Sequence, residues 1–267
     1  MDHATDRRHF DFLQEYLVHA PAALALLRAI ECRELVELPF ERPILDVGCG
    51  DGLFGRVFFP EPVEVGFDRS EKELATAARH GAYRELVQGD VAELPFADAS
   101  FATVFSNGVL EHVDQLDAAL RQIARVLRPG GRLIMTVPTM RDELELSGAA
   151  ALRALGMGAL AQRYADGYNR FFHHVNIHEP DEWSKLLSRA GLHLTMHKRY
   201  AVPTVFRLHD LMMPASLPNF VCKRVTGKWS VLPELRRRTL APFWSRVLRK
   251  VYMDASEGCS LLLVAQR

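Results

Sequence analysis

The feature that most constrains the fold is a short apolar strand that ends in a glycine-rich turn. It spans Ile44 to Gly52 and reads ILDVGCGDG. Glycine adopts the backbone angles of tight turns, and its missing side chain lets a ligand approach the main chain. A helix that starts after such a turn offers unpaired N–H groups to the same ligand. The pattern therefore predicts a ligand site at the end of the first strand of an α/β domain.

Further along the chain, short apolar runs alternate with amphipathic stretches, as expected for a parallel sheet with crossover helices. The chain has 267 residues, of which 48% are hydrophobic, and this is enough for one large core. Ser70 is well placed to cap the helix after the second strand. The predicted strands comprise residues 44–47, 63–67, 85–88, 101–106, 133–137, 192–200 and 259–265.

Polar residues stand at the ends of the next three strands, where an open α/β sheet binds its ligand. Asp68 ends the second strand, 20 residues after Gly48, at the place where such folds bind a ribose. Asp90 ends the third strand beside Val91, and a carboxylate there can accept a hydrogen bond from the amino group of an adenine. The segment from Ser106 to Val113 leaves the fourth strand with several polar side chains.

Taken jointly, these elements resemble the class I S-adenosylmethionine-dependent methyltransferase family, in its small form with a methyltransferase-11-like core. The resemblance covers Pro43 to Pro138 closely. Arg128 to Gly131 before a strand, a helix near Trp183 and a final apolar strand then follow in the family's order. The resemblance implies a Rossmann-like α/β fold with a seven-stranded, mostly parallel sheet, an antiparallel last strand and helices on both faces. It also implies S-adenosyl-L-methionine as the cofactor.

The resemblance further implies which residues contact the cofactor. Asp68 would hold the ribose hydroxyl groups, and Asp90 with Val91 would hold the adenine. Five residues would border the methionine part or its amino-acid end: Asp46, Gly48, Gly50, Ser106 and Asn107.

Methyl transfer needs few catalytic groups, because the sulfonium already makes the methyl group electrophilic and the protein mainly aligns the acceptor and excludes water. A general base is optional. His112 is a candidate for that base, although a histidine after the fourth strand also suits plain packing. His173 is the second candidate, because the segment from Phe171 to His178 is expected to form a wall of the acceptor pocket. No metal is expected, since no Cys or acid is evidently placed to complete four ligands with the histidines of this segment.

Two other interpretations remain open. Gly50, Gly52 and Gly55 also satisfy the dinucleotide fingerprint, so a nicotinamide-dependent oxidoreductase is the rival enzyme. Asp46 within the first strand and the element from Gly89 to Val91 weigh against it. A non-catalytic, S-adenosylmethionine-binding partner of another enzyme is the rival binding protein.

A basic segment from Lys198 to Lys250 stands out in a chain of zero net charge. It holds 12 Lys or Arg against two acids, with aromatic residues among them. Such a mixture can lie on an anionic membrane, where each basic residue adds about 1 kcal/mol, and the plain alternative is a charged outer face. We expect a small-molecule or lipid-like acceptor and leave peripheral membrane contact open. Nucleic acid is not favoured, because no recognisable module accompanies the charge.

The predicted organisation has four parts. Residues 1–40 form an N-terminal helical lid, 41–200 the methyltransferase core, 201–256 a basic C-terminal insertion that contains aromatic residues, and 257–267 the final strand of the core. The first ten residues lack the apolar stretch of a secretory signal. The expected location is therefore the cytoplasm, with the inner membrane surface as the place of any peripheral contact.

Overall fold

The computed structural model describes residues 7–267 and divides into two compact units. The sheet unit comprises Pro39–Met140, Asn169–Arg199 and Ser260–Arg267. The helical unit comprises the described chain up to Leu38 together with Arg141–Tyr168 and Tyr200–Cys259. Residues 141–168, which were predicted to belong to the core, thus group with the helical unit. The division into lid, core, insertion and last strand stays a prediction, and the first six residues of the predicted lid lie outside the described residues.

Seven strands form the sheet in the order β3-β2-β1-β4-β5-β7-β6. The pairs β1–β2, β1–β4, β2–β3 and β4–β5 are parallel, and β5 pairs with β7 in antiparallel fashion. This confirms the predicted fold class. The strands are β1 Ile44–Val47, β2 Val63–Asp68, β3 Tyr83–Gln88, β4 Phe101–Asn107, β5 Leu127–Val137, β6 His193–Tyr200 and β7 Ser260–Gln266.

Helices connect the strands of the sheet unit and make up most of the helical unit. In the described chain the α-helices are α1 Phe12–His19, α2 Ala22–Leu35, α3 Leu53–Phe58, α4 Glu71–Ala77, α5 Leu116–Val126, α6 Met140–Leu144, α7 Ser147–Ala154, α8 Gly158–Phe172, α9 Pro180–Arg189, α10 Pro203–Thr226, α11 Pro233–Arg238 and α12 Leu240–Tyr252.

The core of the sheet unit follows from amphipathic helices packed on buried strands. In α5, Leu120 and Ile123 recur on one face and are fully buried against sheet residues such as Val104 and Leu133. At the start of α4, the Ser70 hydroxyl accepts a hydrogen bond from the N–H of Glu73 at 3.3 Å, as predicted for the cap. Among the helices within residues 7–267, none combines the length and the apolar composition of a membrane-spanning segment.

Arginines from the predicted basic insertion stabilise the helical unit. Arg236 donates hydrogen bonds to the carbonyls of Leu17 and Ala20, where α1 ends. Arg237 pairs with Glu15 of α1 at 3.0 Å. Part of the basic charge therefore binds groups in and directly after α1 and stabilises this unit.

Candidate functional site

A cavity of about 530 Å³ opens where the parallel strands of the sheet unit end. Residues at or just after the ends of β1, β2, β3 and β4 line it, together with residues that precede α9. The strand order reverses between β1 and β4, which is the place where open α/β sheets bind their ligands. Six of the lining residues were singled out from the sequence: Gly48, Asp68, Asp90, Val91, His112 and His173.

The turn after β1 requires glycine for two reasons, the backbone angles and the space available for a side chain. Gly48 and Gly50 have φ angles of 75° and 54°, which side-chain-bearing residues rarely adopt. A Cβ atom on Gly48 would also lie 2.2 Å from a methyl group of Val109, whereas one on Gly50 would meet no described atom within 4 Å. The N–H of Gly48 donates to the carbonyl of Phe67 at 2.7 Å, which joins the turn to β2.

The Asp68 carboxylate connects the turn with the next crossover helix. One oxygen accepts from the N–H of Gly50 at 2.9 Å, and the other accepts from the N–H of Ser70 at 2.8 Å. A carboxylate offers about four acceptor sites, so these two bonds leave capacity for further donors. A ribose diol supplies two such donors, and the chemistry of Asp68 therefore fits the role predicted for it.

Asp46 has a different setting from the other acids of the site. Its side chain is buried, and it accepts a hydrogen bond from the hydroxyl of Tyr83 at 2.6 Å. Burial raises the pKa of Asp46 to about 7, against the opposing effect of the Tyr83 hydrogen bond and with a further rise from the charge of Asp68. Asp46 is not part of the described cavity lining, and its contact with the methionine part stays a prediction.

The predicted residues at the end of the third strand line the cavity, whereas those at the end of the fourth strand do not. Asp90 is exposed in the cavity wall and accepts from the N–H of Ala92 at 2.8 Å, while Val91 beside it is buried. Ser106 is buried, and Asn107 accepts from the hydroxyl of Thr136 at 3.0 Å. Neither of these two belongs to the described lining. The roles predicted for all four residues remain predictions.

The two candidate catalytic histidines both lie in the cavity wall, but their rings have different partners. Nδ1 of His112 donates to the carbonyl of His173 at 3.1 Å. Burial lowers the pKa of His112, an effect that this hydrogen bond partly opposes, so the ring is expected to be neutral near pH 7. The His173 ring is exposed, with Nε2 3.3 Å from a carboxylate oxygen of Asp114.

Sequence reasoning missed Asn176, which holds the wall together. Its amide group donates to the carbonyls of Leu110 at 2.8 Å and Val113 at 2.7 Å. Its N–H, with that of Val175, donates to the carbonyl of Glu111. These bonds attach the segment before α9 to the turn after β4. The acceptors are main-chain carbonyls 63 and 66 residues away, and a single asparagine gives no sequence signal for such a contact.

Comparison with known proteins shows which family this chain resembles. A family model described as a methyltransferase domain matches residues 45–135. The chain is 34% identical to a malonyl-[acyl-carrier protein] O-methyltransferase of Erwinia pyrifoliae over 57% of this chain and 55% of that protein. It is 30% identical to the uncharacterized methyltransferase YodH of Bacillus subtilis over 66% of this chain and 69% of that one.

The chain spans about half the length of the first curated relatives, between 42% and 55% of three malonyl-[acyl-carrier protein] O-methyltransferases. Among solved structures, the [4+2]-cyclase SpnF superimposes with a TM-score of 0.57 at 18% identity, over 99% of this chain and 96% of that one. This likeness concerns the fold alone. Because a protein named as a cyclase shares the fold, the fold by itself does not determine the reaction.

Proposed function

This chain belongs to the class I S-adenosylmethionine-dependent methyltransferase family, and we propose that it transfers a methyl group from S-adenosyl-L-methionine to an oxygen atom of a small-molecule or lipid-like acceptor. The observation that carries the proposal is that Gly48, Asp68, Asp90 and Val91 line one cavity from the ends of three neighbouring strands. Its volume falls within the range of about 300–1,000 Å³ that is usual for small-molecule sites.

Different cavity residues would contact different parts of the cofactor. Asp68 would accept hydrogen bonds from the ribose hydroxyls, and Asp90 would accept one from the adenine amino group beside the apolar Val91. The turn at Gly48 would lie against the methionine part, where the absence of a side chain allows close approach. A nicotinamide-dependent oxidoreductase is less well supported, because the matched family model covers the same turn and strand ends.

The cofactor, when bound, would supply an electrophilic methyl group on its sulfonium, so the protein would mainly have to present an acceptor oxygen to that group. The wall built from His112, Phe172 and His173 would exclude water and orient the acceptor. A carboxylate acceptor needs no general base. A hydroxyl acceptor must lose a proton, and His112 would be the first candidate to take it and His173 the second.

Oxygen is proposed as the methylated atom because several relatives are named malonyl-[acyl-carrier protein] O-methyltransferases. An acceptor screen would therefore begin with acyl thioesters that carry a free carboxylate, followed by lipid-like alcohols. Formation of S-adenosylhomocysteine in the presence of an acceptor would also separate an enzyme from the alternative of a non-catalytic binding partner.

We expect S-adenosylhomocysteine to raise the melting temperature of the protein and NADH to leave it unchanged. A ligand that binds only the native state stabilises it by about 2.7 kcal/mol at 100 times its Kd. Differential scanning fluorimetry with each ligand measures the effect. A shift with NADH alone, or no shift with either ligand, would contradict the proposed cofactor.

We also propose that the protein works in the cytoplasm and contacts the inner membrane surface through α12. Phe243 and Val247 are 60% and 53% exposed, and Arg246 and Lys250 are exposed as well. These four residues follow one another at intervals of three, one and three, so they share one face of the helix. An exposed face that mixes apolar and basic side chains is typical of interfacial helices.

The double variant Arg246→Glu/Lys250→Glu should bind anionic vesicles roughly 10-fold or more weakly than the wild type, because each basic residue contributes about 1 kcal/mol near the lipid. Cosedimentation with phosphatidylglycerol-containing vesicles measures this. The control Arg121→Glu/Arg189→Glu makes the same charge change at exposed positions of the sheet unit. If the wild type does not sediment, or if both variants lose binding equally, the membrane contact is wrong.

A further inference from the structure

Three potential metal ligands lie close together, and one of them, His112, lines the cavity. Glu111 and His112 come from the turn after β4, and His174 comes from the segment before α9. One ligand atom from each lies within 4.8 Å of the other two. Nε2 of His112 is 3.7 Å from a carboxylate oxygen of Glu111, and the centres of the two imidazole rings are 5.0 Å apart. Two imidazoles and one carboxylate form a donor set that suits divalent transition metals.

Both histidines are held in the tautomer that a metal site needs. Nδ1 of His112 donates to the carbonyl of His173 at 3.1 Å, and Nδ1 of His174 lies 3.0 Å from the side-chain oxygen of Asn169. Because both partners are acceptors, each Nδ1 carries the proton, and the lone pair of each ring is on Nε2. Metal-binding histidines in proteins almost always donate their other N–H in this manner.

From this geometry we propose that Glu111, His112 and His174 bind one divalent transition-metal cation, such as Zn²⁺ or Mn²⁺. The site goes beyond the proposed methyl transfer, and metal binding can be tested in the absence of cofactor and acceptor. The sequence-based expectation was that no metal is bound, and His112 and His174 are 62 residues apart in the chain. The hydrogen bonds of Asn176 to the turn after β4 bring the two segments together.

The position of the cation would also define the acceptor. Three protein ligands leave a fourth position for water or substrate in a tetrahedral site. Since His112 lines the cavity, an acceptor oxygen is the natural fourth ligand, which favours acceptors with a carboxylate or hydroxyl group. This extension rests on the proposed function. In the metal-bound form, His112 serves as a ligand and not as a base.

Isothermal titration of EDTA-treated, dialysed protein with Zn²⁺ tests the site directly. We expect one cation per chain, and at least about 10-fold weaker binding in His174→Ala and in Glu111→Gln. His173→Ala is the matched control: it removes a neighbouring ring but keeps the main-chain carbonyl that accepts from His112, so its affinity should equal that of the wild type. Mg²⁺, which prefers oxygen ligands, should bind much more weakly.

Absence of Zn²⁺ binding would overturn the proposal, as would equal affinity in the wild type, His174→Ala and Glu111→Gln. Circular dichroism shows whether each variant is folded, and Co²⁺ added to the wild type gives a test that needs no variant, because tetrahedral coordination intensifies its visible absorption. Stabilisation of the wild type by S-adenosylhomocysteine is measured separately. A protein that binds this ligand but no metal would therefore disprove the metal site alone.

Discussion

Asp68→Ala is expected to weaken the binding of S-adenosylhomocysteine by roughly 100-fold. Hydrogen bonds to a charged group contribute about 1.5–3 kcal/mol each, and the loss of two ribose contacts at the lower value amounts to about 3 kcal/mol, or two factors of ten in Kd. The variant also removes the acceptor that orients the N–H groups of Gly50 and Ser70. Both effects reduce affinity, and isothermal titration calorimetry measures their sum.

The matched control is Asp117→Ala, which removes an exposed carboxylate from the first turn of α5 and changes the net charge equally. Its affinity should stay at the wild-type value. Circular dichroism should show that both variants keep their secondary structure, because Asp68 is only partly buried. Equal affinity in Asp68→Ala and wild type would mean that the ribose does not bind at the end of β2.

The sheet could be predicted because its signals are local. The strand that leads into the glycine turn, the alternation of strands with amphipathic helices and the Ser70 cap each depend on a few neighbouring residues. The acids at strand ends could be placed for the same reason, since the carboxyl ends of parallel strands meet at one edge of the sheet. Asp68 and Asp90 do line one cavity there.

Features that depend on distant partners could not be predicted. Asp46 is buried in β1 and accepts a hydrogen bond from Tyr83, 37 residues later, and it is not part of the described cavity lining. Arg236 donates hydrogen bonds to carbonyls at the end of α1, more than 200 residues away. The sequence shows only a run of basic charge at this position. Side-chain direction is equally hidden: nothing in the spacing distinguishes the exposed ring of His173 from the His174 ring that lies beside His112.

Gly48→Ala is expected to destabilise the ligand-free protein by about 3 kcal/mol. A left-handed backbone costs a side-chain-bearing residue roughly 1–2 kcal/mol, and overpacking adds about 1–3 kcal/mol. Both costs apply here, because φ is 75° and the new Cβ would lie 2.2 Å from one methyl group of Val109 and 2.6 Å from the other. Urea denaturation followed by circular dichroism gives the free energy of unfolding.

Gly50→Ala separates the two costs. Gly50 has a φ of 54°, but its Cβ would meet no described atom within 4 Å, so only the backbone cost of about 1–2 kcal/mol should remain. The double variant Gly48→Ala/Val109→Ala should recover part of the stability lost in Gly48→Ala, because the shorter side chain removes the clashing methyl groups. If Gly48→Ala and Gly50→Ala lose the same stability, and Val109→Ala gives no recovery, then contact with Val109 does not explain why glycine is required at position 48. The requirement would then come from the backbone angle alone, which both glycines share.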